Sequence, residues 1–260
     1  MAGEFAADFG RTAADYRRYR AGFPPELVDR LVRRGIGRPD QHLLDVGTGT
    51  GSLARLFASK VASVTGLDPA EPLLAQAKEL DQAAGVEITY RVATAEDTGL
   101  PDRCVDVVTA GQCWHWFDAE RAAAEARRVL RPDGVITIAH FDWIPLPGNV
   151  VAATEELILK YNPSWHLGGG TGLYPRWLTD LAVAGFRSIE TFSFDLDVPY
   201  PPHAWVGRVR ASAGVAASLP PDQVSEFADE LSQILEQHFS GEMLVIPHRT
   251  WAVTARNHVT

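Results

Sequence analysis

The run His42-Leu-Leu-Asp-Val-Gly-Thr-Gly-Thr-Gly-Ser-Leu53 constrains the fold of this chain more than any other segment. Leu43, Leu44 and Val46 read as a buried strand. Three alternating glycines, Gly47, Gly49 and Gly51, follow it, and helix formers run from Leu53 to Ala58. Glycine lets a backbone bend sharply and approach a ligand closely, and a helix N-terminus behind such a turn offers unpaired N–H groups. Strand, glycine turn and helix in this order predict a nucleotide-binding layout.

The rest of the chain repeats the alternation. Pro24-Pro25 opens a helix through Arg34, after residues 1–23 of helical tendency. Ser63–Leu67 is a strand closed by Asp68-Pro69, and a helix runs from about Ala70 to Leu80. Val86–Val92 and Val105–Ala110 are strands, the second apolar enough to be buried on both faces. Asp118 caps a helix to Leu130, and Arg131-Pro132-Asp133-Gly134 is a tight turn into strand Val135–Ala139. Strands alternating with helices over residues 40–140 predict an α/β fold with a doubly wound, mostly parallel sheet. Beyond them, Val150–Tyr161 and Pro175–Ala184 read as helices around a glycine-rich loop at Gly168–Gly172. Ser188–Asp195 reads as a strand, residues 222–239 as an amphipathic helix and Arg249–Arg256 as a last strand. The expectation is one domain over 1–260: N-terminal helices or lid at 1–38, cofactor-binding core at 39–140, and a helical cap with the end of the sheet at 141–260.

A formal charge of −9 argues against holding nucleic acid by phosphate neutralisation. No apolar run approaches a membrane span, and the first twenty residues lack the apolar core of a signal peptide. Cys104 and Cys113, nine residues apart in or near one strand, are not placed to bridge. These features predict a cytoplasmic protein with a small-molecule substrate, no nucleic acid and no membrane. The 222–239 helix packs either on the sheet or on another subunit, so a homo-oligomer stays open.

A dinucleotide fingerprint wants glycine at its sixth position, where this chain has Ser52, and an acid about 20 residues on. Asp68 ends the second strand, well placed to accept both ribose hydroxyls. A ribose-bearing cofactor follows. An NAD-dependent oxidoreductase and a non-catalytic cofactor-binding protein remain as readings of another class.

Leu-Asp-Val-Gly-Thr-Gly-Thr-Gly, then Gly66-Leu67-Asp68-Pro69, then Leu130-Arg131-Pro132-Asp133-Gly134 together resemble the class I S-adenosylmethionine-dependent methyltransferases, with order and spacing matching over roughly residues 8–140. The opening, from Phe9 through Tyr16 and Arg20 to Leu27, is similar to small-molecule members such as the trans-aconitate methyltransferase-like group and bacterial natural-product methyltransferases. The resemblance implies a seven-stranded sheet of order 3-2-1-4-5-7-6, S-adenosylmethionine as cofactor and S-adenosylhomocysteine as product. It implies Gly47, Thr48 and Gly49 beneath the methionyl part, with Asp45 organising the turn and favouring the amino group. Asp68 would take the ribose, with Pro69 and Leu73 near the adenine. Thr94, Ala95 and Glu96 stand where the family often has Gly-Asp-Ala. Gln112 and Cys113 would lie at the methionine end, with Tyr16 and Arg20 closing over it.

Ligands of parallel sheets bind beyond the carboxyl ends of the strands. The fourth strand leads into Trp114-His115-Trp116-Phe117 and the fifth into His140-Phe141-Asp142-Trp143. Trp114, His115, Phe117, His140 and Trp143 are therefore expected to line the acceptor, with His166 and Tyr174 from the cap, and Trp116 is expected to pack in the core. His115 is the first candidate base, with Phe117 and Tyr16 beside it at the reacting centre. The chain lacks the Asn/Asp-Pro-Pro-Tyr pattern after the fourth strand and any carboxylate cluster suited to Mg²⁺. The expected reaction is methylation of a small organic acceptor, N-methylation of an amine in antibiotic biosynthesis first and O-methylation of a carboxylate or hydroxyl second.

Overall fold

A computed structural model describes Tyr19 and residues 21–258. In chain order the elements are α1 (Pro25–Val32), β1 (His42–Val46), α2 (Ser52–Phe57), β2 (Ser63–Asp68), α3 (Glu71–Ala84), β3 (Thr89–Val92) and β4 (Val105–Gly111). A 3-10 turn (Trp114–Trp116) leads to α4 (Ala119–Val129), β5 (Leu130–Trp143), α5 (Val150–Tyr161) and α6 (Arg176–Val183). The chain continues through β6 (Arg187–Tyr200), α7 (Pro202–Arg210), α8 (Pro221–His238) and β7 (Leu244–Arg256). The seven strands form one sheet of order β3-β2-β1-β4-β5-β7-β6. β1 pairs parallel with β2 on one side and β4 on the other, so the strand order reverses at β1. A crevice for a ligand opens at such a switch point, beyond the carboxyl ends of the strands.

The chain divides into two compact units. One comprises 22–141, 173–194 and 250–258, and the other comprises 142–172 and 195–249 with Tyr19 and Ala21. In the first, the strand period of two splits β1 between two cores. Leu43 joins Leu27, Leu31, Phe57, Val107 and Val135, while Leu44 and Val46 join Val108, Leu130, Ile136 and Ile138. The second unit packs α5, α7 and α8 around Trp205, Val209, Phe227, Leu231 and Leu235. The Trp205 indole N–H donates to the Thr154 hydroxyl at 3.0 Å, which satisfies a buried donor.

Local differences from the sequence reading have physical causes. α3 runs on to Ala84, where Gly85 takes a left-handed φ of 66° and ends it. α4 passes straight into β5 at Leu130, so the expected turn at 131–134 is an irregularity inside the strand. The β4 pairing steps from Leu130 to Val135 around Asp133, whose φ is 62°. α7 is an element that the sequence reading does not assign. It starts behind Pro201 and Pro202, and proline is well tolerated in a first helical turn. Among the described residues no helix is long and apolar enough to cross a membrane.

Candidate active site

The glycine turn holds left-handed φ values of 61° at Gly47, 55° at Gly49 and 77° at Gly51. Thr48 N–H donates to the Leu67 carbonyl at 2.8 Å, tying the turn to the end of β2. Within the turn, Asp45 accepts the Thr48 hydroxyl and the Thr109 hydroxyl, both at 2.6 Å. Thr109 stands opposite Asp45 in the β1–β4 register, which is why it reaches. The Asp45 side chain is thus turned into the protein, only 1% exposed, and each oxygen is engaged by a threonine. Burial pushes its carboxyl up to about 6, against the lowering effect of the two hydroxyls.

Asp68 ends β2 and accepts Gly49 N–H and Ala70 N–H, each at 2.9 Å. Burial raises its pKa and the two backbone donors oppose the rise. A carboxylate offers about four lone-pair positions, so two remain for a ligand. Exposed Pro69 and half-buried Leu73 follow at the start of α3. A Cβ placed on Gly49 would meet nothing within 4 Å, whereas one on Gly47 would strike Cys113 Cβ, Cys113 Sγ and Phe117 Cζ at 2.9 Å. The turn therefore leaves room over Gly49 and lies against the loop that follows β4. These residues fit a ribose-bearing cofactor. Beyond β3, the Thr94 hydroxyl accepts Asp97 N–H at 3.2 Å, Ala95 is buried, and Glu96 accepts Asp118 N–H at 3.0 Å.

The loop after β4 turns at Gln112, whose φ is 58° and whose side-chain amide donates to the Phe141 carbonyl. Cys113 Sγ lies 3.2 Å from the Val46 carbonyl, beside the glycine turn. The two tryptophans that follow differ in burial from what was expected of them. Trp114, expected against the acceptor, is buried and its indole N–H donates to Asp180 at 3.2 Å. Trp116, expected in the core, is 46% exposed. A 3-10 turn has three residues per revolution, so positions i and i+2 cannot share a face.

His115 is exposed and meets His140 at 5.2 Å between ring centroids. Buried His140 packs on Tyr174 at 4.5 Å and Trp177 at 4.8 Å, and those two rings stack at 4.0 Å with 5° between planes. Phe117 meets Trp114 edge-on at 5.9 Å. The structure thus joins His115, His140 and Tyr174 in one aromatic wall and adds Trp177, which sequence reasoning missed because a helix tryptophan reads as packing. Thr109 was missed for a similar reason: only strand register shows it facing Asp45.

In the other unit, the Trp143 indole N–H donates to Glu155 at 2.8 Å, and Arg208 lies 4.8 Å over the Trp143 ring. Glu155 also accepts Gly169 N–H at 2.7 Å, while His166 is exposed. Tyr16 and Arg20 lie outside the described residues. Among the described residues no group of three or more His, Cys, Asp or Glu side chains is arranged to hold a metal ion.

Residues 44–138 match the family described as "Methyltransferase domain". The malonyl-[acyl-carrier protein] O-methyltransferase of Geobacter sulfurreducens is 34% identical over 207 residues, 75% of this chain and 73% of that protein. An uncharacterized methyltransferase of Mycobacterium tuberculosis is 35% identical over 131 residues, half of this chain; the match spans about half (51%) of that relative's own length. The crystal structure of the YcgJ protein from Bacillus subtilis shares the fold, with a TM-score of 0.59 and 19% identity over 90% of this chain and 99% of that one. The strand order, the glycine turn tied to Asp68 and a relative matched over most of both chains lead to one assignment. The chain belongs to the class I S-adenosylmethionine-dependent methyltransferases.

Proposed function

We propose that this chain transfers a methyl group from S-adenosylmethionine to a small organic acceptor held against the wall formed by His115, His140, Tyr174 and Trp177. The observation that supports it is the close approach of Gly47 to Cys113 and Phe117, which sets the cofactor turn beside the loop that carries His115. When bound, S-adenosylmethionine supplies an electrophilic methyl on a cationic sulfonium. Asp68 presents its remaining lone pairs to the ribose, and the Gly47–Gly49 backbone leaves space for the methionyl tail. The aromatic wall orients the acceptor and keeps water from it, which is most of what an in-line displacement needs. His115, exposed beside His140, takes the proton from an acceptor that must lose one.

We favour an amine of natural-product biosynthesis as acceptor, because ring faces attract a cation and a neutral amine carries its own lone pair. The second reading is O-methylation of a carboxylate, and the activity named for the Geobacter relative favours it. The reading includes a cytoplasmic location, in keeping with two cysteines that are both unbridged. Calorimetry with S-adenosylhomocysteine beside NADH tests the cofactor, with Asp68→Ala expected to weaken the first by at least tenfold, about 1.4 kcal/mol. Labelled methyl donor offered with amines and with free and carrier-bound carboxylic acids then separates the two acceptors. Binding of NADH alone would overturn the proposal.

A further inference from the structure

Arg55, Asp81 and Tyr90 come from three different elements and meet behind the glycine turn. Arg55 Nε donates to Asp81 Oδ1 at 2.8 Å, and Arg55 Nη2 donates to the Thr50 carbonyl at 2.7 Å. The same nitrogen lies 3.4 Å from the Ala77 carbonyl, so one guanidinium spans the turn, α2 and α3. The pair is well covered, with side-chain exposures of 20% for Arg55 and 6% for Asp81. A planar, always-charged fork suits a bridge between a carboxylate and two carbonyls, and lysine would not reproduce it.

Tyr90 supplies the third side. It stands opposite Gly66 in the β2–β3 register, and a Cβ on Gly66 would lie 2.7 and 2.8 Å from its ring carbons. A Cβ on Gly51 would collide with the Tyr90 hydroxyl and come within 3.0 Å of Arg55 Nη2. Glycine inside a strand marks a close approach of another group, and here that group is the Tyr90 ring. The Tyr90 hydroxyl and Asp81 Oδ2 are both buried, and the phenol lies close enough to the Asp81 carboxylate to feel its charge. Burial and the Asp81 carboxylate push the phenol up, so it stays protonated at any physiological pH.

We infer that Arg55, Asp81 and the Tyr90 ring are positioning residues that brace the Thr50–Gly51 backbone and so fix the pitch of the turn for the cofactor. The inference rests on the cofactor reading above. None of the three need touch the ligand: they act by holding the backbone that Gly49 and Thr48 share with Asp68 and Asp45. Removing the brace leaves the sheet and both cores in place while the turn loses its fixed shape.

The test compares wild type, R55M, R55K, Y90A and Y90F by S-adenosylhomocysteine calorimetry and by amide hydrogen exchange of the turn. R55M is expected to raise the dissociation constant about tenfold, the factor that 1.4 kcal/mol produces. The Thr48 and Gly51 amides should exchange faster in it while those of β4 and β5 keep their protection. R55K, which can hold Asp81 or Thr50 but not both, should recover only part of the loss. Y90A should behave as R55M does, and it carries the test if R55M does not fold. Y90F keeps the ring and should lie much nearer wild type than Y90A in both readouts. R55M and Y90A within twofold of wild type, with unchanged turn exchange, would overturn the brace, and so would a Y90F as damaged as Y90A. If wild type itself fails to bind while R55M still loosens the turn, the methyltransferase reading falls and the brace stands.

Discussion

Asp45 offers a prediction whose size follows from its surroundings. Its carboxyl is buried, raised from an ordinary 3.8 to about 6, and held by two threonine hydroxyls. Between those two values the folded chain keeps a proton that the unfolded chain has released. Folding stability from this group is therefore present at low pH, falls as pH rises toward 6, and is flat beyond it. Two pH units at 1.36 kcal/mol each make about 3 kcal/mol. Asp45→Asn removes the titration but keeps an acceptor for one threonine and a donor for the other, since hydroxyls can rotate.

Urea unfolding of wild type and Asp45→Asn at pH 4 and pH 7.5 reads the effect, because carboxylates that do not interact with Asp45 cancel in the difference; the change includes the relief of Asp68, whose charge acts on Asp45. Relative to wild type, the variant should gain about 2.5 kcal/mol of stability between the lower and higher pH, since pH 4 already lies just above the unfolded value, at equal m-values. A difference constant to within about 0.5 kcal/mol would refute the reasoning. It would mean that two charge-assisted hydrogen bonds repay the burial in full. The same variant should bind S-adenosylhomocysteine less tightly, because only the ionised carboxylate accepts from both Thr48 and Thr109 and so fixes the turn. Stability gained and binding lost together would identify a charge retained for function at a cost to the fold.

Three further outcomes are expected. Gly47→Ala combines a φ of 61° with contacts at 2.9 Å to Cys113 and Phe117, so S-adenosylhomocysteine binding measured by calorimetry should be lost. Trp114→Phe gives up the bond to Asp180 and some buried volume, which should cost about 2 kcal/mol in urea unfolding, whereas exposed Trp116→Ala should stay within about 0.5 kcal/mol. Equal costs at the two positions would contradict the 3-10 geometry. His115→Ala should slow turnover by about a hundredfold or more for an acceptor that must lose a proton, with cofactor affinity and unfolding midpoint unchanged. Unaltered turnover would remove His115 from proton transfer.

The legible parts of this chain are those in which one local signal has one structural meaning. A buried strand, three glycines and Asp68 21 residues after Gly47 already imply the turn and its acid. The structure adds that Gly49 N–H binds that acid directly. Alternating strands and helices implied the sheet, but the family resemblance was needed for its order, because periodicity says which faces are buried and not which strands are neighbours. The residues that the sequence alone does not place are those whose meaning depends on partners distant in sequence. Trp114 and Trp116 are equal in hydrophobicity, and only a turn of three residues per revolution sends one to Asp180 and the other to solvent. Thr109 looks like any β-branched strand residue until register sets it across from Asp45. Tyr90 and Arg55 look like an edge aromatic and a solvated charge until β3 and α3 close on the turn. In each case the informative quantity is a contact across the sheet, and a sequence states such contacts only through the glycines that make room for them. Gly51 and Gly66 are that statement here: the missing Cβ at each marks where the Tyr90 side chain stands.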